Sequence, residues 1–269
     1  MNLFNFAPEE MLSFFATLVR FSVLVAVMPI TGDRFVPAPT KVLFALAVTF
    51  ALYPALIARG QIHPADALVW GSTAGGLMGT VALEAIFGFV LGYTAKLCFD
   101  SIQLGANLAG NFMGFAMASQ YDPHQESQSQ VIAEIQMAIA MLMFLSLDGH
   151  HLMLRAALES YQIVGMGKAG FGVIFSQKLI ELTGQVIQFG LQIAAPVAVS
   201  IFAVNLAFGV MAKAVPSLNV FALSMTVTAL VGLIVMLLSI PHFATACTSV
   251  FERMGDWMRI MMYAMVNRG

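Results

Sequence analysis

Chemistry needs side chains that move protons, hold metals or attack, and here they are few and scattered. The histidines are His63, His124, His150, His151 and His242. Adjacent His150 and His151 fall on different faces of a helix, and neither has a ligand partner four residues on. Asp148 and Glu159 lie near His150 in sequence, which leaves two readings, a proton relay or ordinary surface and capping histidines. Cys98 and Cys247 form no CxxC or zinc spacing and read as small apolar side chains in packed helices. No glycine-rich loop leads into Lys-Ser/Thr, so a phosphate cradle is not expected. The sequence therefore predicts no catalytic, cofactor-binding or metal site, and not an enzyme.

The remaining chemistry is charge inside apolar runs. Arg20 sits mid-way along the stretch from Met11 to Met28. A buried arginine in an apolar helix is costly unless it is paired or faces a protein interface or wet cavity. It therefore marks an intersubunit or pore-side contact, or it reaches a headgroup or a local carboxylate. Glu84, Lys96 and Asp100 are the comparable charges of the third apolar run. They keep open a second class of function, a small-molecule or ion transporter with a midplane site. No internal repeat of the kind transporters show is evident.

Those charges are positioned by a chain that cannot cover a water-facing surface. Of 269 residues, 59% are hydrophobic and only 10% are charged, with mean hydropathy +0.86. A soluble domain carries about 25% charged residues. Lys plus Arg is 12 and Asp plus Glu is 14, with no basic tract to meet a nucleic acid. Six apolar segments follow: Met11–Met28, Val42–Leu56, Trp70–Leu97, Ile132–Leu147, Leu182–Ala212 and Val220–Ile240. About 20 apolar residues span a bilayer as a helix. The second and fourth segments are short, so six crossings is a ceiling. The fold expected is all-α, hydrophobic helical hairpins of an integral membrane protein.

The first segment lacks a basic residue before Arg20 and a small-x-small cleavage site after it, so it is expected to stay in the mature chain. If all six segments cross, the positive-inside rule puts both termini in the cytoplasm. Gly71, Gly75 and Gly79 form a doubled small-xxx-small pattern, for packing within the chain or against a partner. Near the carboxyl end, Val250, Phe251, Met254, Trp257, Met258, Met261, Met262 and Met265 share one helical face. Glu252, Arg253, Asp256 and Arg259 share the other. This amphipathic helix, about 249–268, lies in the membrane interface, on a partner, or on its own protein.

The most informative stretch is Gly105 to Gln130. Gly110 and Gly114 weaken any helix by about 1 kcal/mol each relative to alanine. Phe112, Met113, Phe115, Met117 and Tyr121 are bulky and apolar, Asp122-Pro123 signals a turn, and a Gln/Ser-rich run follows. Such a loop is poorly held in lipid, where backbone groups need partners. In a protein-lined cavity it would act as a removable stopper; an ordinary re-entrant turn is the alternative.

This stretch resembles the plug region of the FliR family, export-gate subunits of flagellar type III secretion. Pro29-Ile30-Thr31-Gly32, with Val36-Pro37 and Lys41, is similar to the family's first loop. Asp148-Gly149-His150, then Ser160, resembles its "NGH…S" stretch. Ala195-Pro196-Val197 resembles its fifth segment. Asn205 through Gly209 to Met211, then Pro216-Ser217-Leu218-Asn219-Val220-Phe221, resembles its most recognisable block. The order of these motifs covers nearly the whole chain. Two departures stand out. Ser224 and Thr226 replace a frequent Gly and Pro, which removes the warrant for a kink after Phe221. Asp148 replaces a frequent Asn.

The resemblance implies a subunit of a pore-containing gate assembled with FliP and FliQ, through which unfolded flagellar proteins pass. FlhB at the entrance and proton-driven FlhA are the further partners implied. The setting implied is the bacterial inner membrane, within the flagellar basal body. Residues 1–269 would form one export-gate domain with a plug loop at about 106–126. Gly110, Phe112, Met113, Gly114, Phe115, Met117, Asp122 and Pro123 would make the plug. Arg20, Pro29, Gly32, Pro196, Asn205, Gly209, Pro216, Asn219 and Phe221 would be structural or interface residues. The "LNVF" block at Leu218–Phe221 and the short basic tail resemble the flagellar branch more than the injectisome branch.

Overall fold

The computed structural model describes residues 7–29, 36–115, 128–215 and 219–266. The regular elements among them are helices: α1 (Pro8–Val27), α2 (Ala38–Ala58), α3 (Ala67–Gly71), α4 (Ala74–Phe112), α5 (Gln128–Ser146), α6 (Gly149–Ile163), α7 (Val173–Ala214), α8 (Val220–Leu238) and α9 (Ile240–Val266). A 3-10 turn at Pro64–Asp66 precedes α3. The all-α expectation holds. Helices α1, α2, α4 and α7 are each long and apolar enough to cross a membrane, and the pairs α5–α6 and α8–α9 raise the number to six if each is one span. Buried hydroxyls in these helices are satisfied locally. Thr17, Thr49 and Thr94 each donate to the carbonyl four residues back, at 2.8, 2.7 and 2.7 Å, so these three hydroxyls do not face lipid without a partner.

The contacts group the chain into two compact units. One holds the described residues of 1–97, 148–182 and 253–269; the other holds those of 98–147 and 183–252. In the first unit α1 and α2 pack as a hairpin. Phe14 meets the Tyr53 ring edge-on at 5.3 Å, and the Tyr53 hydroxyl donates to the Glu10 carbonyl at 3.1 Å.

Two glycine expectations are revised. The Gly71-Gly75-Gly79 pattern does not lie on one helix, because Gly71 ends α3 and α4 starts at Ala74. An added Cβ at Gly75 or Gly79 would meet nothing within 4 Å. The close approach occurs at Gly88 and Gly92 instead. A Cβ on Gly88 would overlap the Arg20 carbonyl oxygen, and one on Gly92 would stand 3.0 Å from the Leu24 carbonyl oxygen. Small residues let two backbones touch here. We expect Gly88→Ala to lower stability by about 1–3 kcal/mol through overpacking, while Gly79→Ala stays near neutral. Thermal unfolding of the detergent-solubilised protein compares the two; equal melting points would contradict the close approach.

The second glycine revision is that α4 runs through Gly105 and Gly110 to Phe112, so 106–112 are helical rather than loop. Packing outweighs propensity there: a Cβ on Gly105 would stand 2.7 Å from Ile193. Helix α8 continues without a break past Ser224 and Thr226, as their departure from Gly and Pro leads one to expect. The apolar face of α9 is buried at every one of the eight positions from Val250 to Met265, and its Glu252, Arg253, Asp256 and Arg259 face is exposed. Of the three settings considered for this helix, packing within its own chain is the one observed.

Candidate functional site: a buried arginine clasp and the end of α4

Arg20 is fully buried. Its Nε donates to Glu84 Oε2 at 2.6 Å and its Nη2 to Oε1 at 2.8 Å, the two-pronged geometry that arginine's planar fork favours. Nη1 donates to Ser160 Oγ at 2.9 Å, and both terminal nitrogens reach the Val164 carbonyl at 3.4–3.5 Å. The guanidinium carbon lies 3.7 Å from the Tyr161 ring centroid and 4.3 Å from that of Phe87, near enough for cation–π attraction. Glu84 also accepts from the Tyr161 hydroxyl at 3.2 Å and the Gly167 N–H at 2.9 Å. Gly167 has φ +67, a conformation glycine adopts at little cost. That turn aims its N–H at the carboxylate.

The clasp joins α1, the start of α4, α6 and the turn after α6. The close contact at Gly88 sets its reach, since α1 must lie against α4 for Arg20 to meet Glu84. Of the readings open for Arg20, the local carboxylate is the one the structure contains. Both carboxylate oxygens are occupied by donors, so Glu84 is not an open ion site. That removes one member of the trio that kept a transporter in view.

The second candidate is the end of α4. Met113 N donates to the Ala109 carbonyl and Gly114 N to the Asn111 carbonyl, each at 3.1 Å. Gly114 follows with φ +88, the left-handed turn that commonly ends a helix. Phe112 is 45% exposed, but Met113 is only 1% exposed. Met113 packs with Ala109, Ile132, Val197 and Ile201, and Phe115, Val231, Val235 and Met236 lie against that cluster. Thus Met113 and Phe115 share one cluster with Gly114 between them, Gly110 lies within the last turn of α4, and Phe112 is exposed. Met117, Asp122 and Pro123 lie outside the described residues, as do Gly32 and Pro216. Sequence reasoning missed Thr228 and Gly232 on α8, whose contacts with Met113 no local motif signals.

The other predicted residues are dispersed. Pro29 is buried just after α1. Pro196 lies inside α7, where Ser200 Oγ donates to its carbonyl at 2.8 Å. Asn205 and Gly209 line an open groove of about 410 Å³ with Phe202, Leu206, Val210 and Lys213. Asn219 caps α8, its side chain accepting from Ala222 N at 3.3 Å. Phe221 falls in the first turn of α8.

The one group among the described residues able to hold a metal is Asp148, His150 and His151, whose donor atoms lie within 4.8 Å of one another. Asp148 has φ +55 and its Oδ1 lies 3.1 Å from His151 Nδ1, so the trio also reads as a helix start closed on itself. Its left-handed backbone brings together side chains that helical spacing alone separates. Glu159 is not part of it and pairs with Arg259 at 3.2 Å.

The sequence matches the family described as "Bacterial export proteins, family 1" over residues 11–254. It is 26% identical to "Flagellar biosynthetic protein FliR" of Escherichia coli (strain K12), covering 89% of this chain and 88% of that protein. To the FliR of Bacillus subtilis (strain 168) it is 27% identical, over 93% of this chain and 94% of the relative. To that of Caulobacter vibrioides it is 26% identical, over 88% and 92%. With apolar helices able to cross a membrane four to six times, and a match that spans nearly all of them, this chain belongs to the bacterial export proteins, family 1.

Proposed function

We propose that this chain is a component of the flagellar protein export apparatus, and more narrowly a subunit of its gate in the bacterial inner membrane. The near full-length match to relatives named as flagellar biosynthetic proteins carries this reading. Residues 1–269 act as one export-gate domain, which forms part of a pore for unfolded flagellar proteins together with FliP and FliQ. FlhB and FlhA are the further partners. The segment that leaves α4 at Gly114 supplies the plug, with Phe112, Met113, Phe115 and Met117 as its apolar part and Asp122-Pro123 joining it to α5.

Helix length supports a protein that lives partly outside lipid. Helices α4 and α7 have 39 and 42 residues, or about 58 and 63 Å at 1.5 Å per residue. The hydrocarbon core is about 30 Å thick, so tilt alone does not bury either helix. Along α7, Val199, Phe202, Leu206 and Val210 are exposed at helical spacing, with Asn205 beside them. That face suits a partner subunit better than lipid alone. Purification tests the reading. Co-expressed with FliP and FliQ, the chain is expected to elute with both in detergent, and alone it is expected to aggregate. A stable, monodisperse chain that ignores both partners would sink it.

A further inference from the structure

One carboxylate and two imidazoles converge at the start of α6. The donor atoms of Asp148, His150 and His151 all lie within 4.8 Å of one another, and Asp148 Oδ1 stands 3.1 Å from His151 Nδ1. Ligands bonded at 2.0–2.2 Å to a tetrahedral ion stand about 3.3–3.6 Å apart, so small side-chain rotations close the three on one ion. The Asp148 and His151 side chains are 75% and 60% exposed, which leaves them free to make that adjustment. Neighbouring residues of a helix point about 100° apart, yet the rings of His150 and His151 lie 4.1 Å apart, tilted by 37°. His150 adds a second observation. Its Nδ1 is closed to solvent and meets no donor or acceptor. A buried polar atom left unpaired is costly, and coordination through that nitrogen would remove the cost.

The donor set narrows the ion. Mg2+ and Ca2+ take oxygen ligands, whereas two imidazole nitrogens with one carboxylate suit Zn2+, Co2+, Ni2+ or Cu2+. A cation at a helix N-terminus meets the positive end of the helix dipole, so the Asp148 charge is what makes the place habitable for one. We propose that Asp148, His150 and His151 form a binding site for a divalent transition metal of the zinc type. Asp148 supplies the anion, the two histidines supply nitrogen ligands, and solvent completes the coordination. The bound ion fixes the first turn of α6, the helix that carries Ser160 and Tyr161 to Arg20. The site stands apart from the export-gate reading and does not depend on it.

The test uses the detergent-solubilised full-length chain, purified through a tag free of histidine and stripped with a chelator. Calorimetric titration with Zn2+ is expected to show one saturable site per chain, and excess Mg2+ is expected not to compete. Co2+ is expected to give visible d–d absorption that Zn2+ bleaches. Asp148→Asn is the informative variant, because asparagine keeps the size and tolerates the left-handed backbone while removing the charge. It is expected to melt like the metal-free parent and to bind Zn2+ at least about tenfold more weakly, since losing even an outer-shell partner costs 10–100-fold. His150→Gln with His151→Gln is expected to abolish binding, and His242→Gln to leave it unchanged. Zn2+ is expected to raise the melting point of the parent and of His242→Gln only. A stripped parent that binds no Zn2+ overturns the site. So does binding that survives Asp148→Asn and the double histidine variant undiminished, which would mark adsorption elsewhere on the chain.

Discussion

Arg20→Ala is expected to destabilise the chain by about 3–5 kcal/mol, the usual cost of removing one partner of a buried ion pair. The loss is not mainly that of the attraction. Glu84 would keep the Tyr161 hydroxyl and the Gly167 N–H but remain a buried carboxylate without its counter-charge. Arg20→Lys is expected to rescue little. A lysine ammonium cannot fork across both carboxylate oxygens while reaching Ser160, and it stacks less well on Tyr161 and Phe87. The informative variant is the double replacement Arg20→Met with Glu84→Leu, which removes both charges and keeps apolar volume. Buried pairs replaced in this way are often neutral or stabilising, so it should recover most of the lost stability. Thermal unfolding of the solubilised gate, with the amount of assembled complex in membranes, reads all three. An Arg20→Ala protein as stable as the parent, or a double variant no better than the single, would show that the clasp does not hold α1 to α4 and α6.

This site was half legible beforehand. Arg20 is conspicuous because an arginine inside an apolar run must find a partner, and Glu84 is conspicuous for the same reason. What pairs them is the backbone contact at Gly88, which depends on which helices meet, and helical spacing within one segment carries no such information. The same limit explains α6 and the long α7. Helix α6 is polar enough to fall wholly outside the apolar segments defined by composition, and α7 begins at Val173, ahead of the segment that starts at Leu182. At the end of α4 the glycines at 105 and 110 advertise a loop by propensity, but both are helical, and Gly105 packs closely against Ile193. Gly114 is the glycine that turns the chain, and only its φ reveals it. The α9 face was readable in full, because a period of 3.6 residues is local. What it packs against was not, since an apolar stripe looks the same to lipid, to a partner and to its own chain.

Deletion of 110–117 is expected to make the resting gate leak ions, the largest functional effect in this chain. A pore wide enough for an unfolded polypeptide conducts ions when it is empty unless something apolar closes it. A constriction lined by apolar side chains excludes water, and hence ions, without a covalent barrier. On the plug reading, Phe112, Met113, Phe115 and Met117 would supply such side chains within one short run; of these, Met113 is buried against α8 while Phe112 stands exposed beside it. The deletion removes the apolar side chains and the Gly114 turn together. Gly114→Val disturbs the turn alone: a β-branched residue is poorly tolerated at φ +88. Its expected outcome is reduced export with a smaller leak than the deletion. Conductance of membranes carrying the assembled gate, measured beside secretion of a flagellar substrate, distinguishes these cases. If the deletion stays as tight as the parent while the gate still assembles, closure must come from another subunit, and the greasy end of α4 is then a packing element of this chain and nothing more.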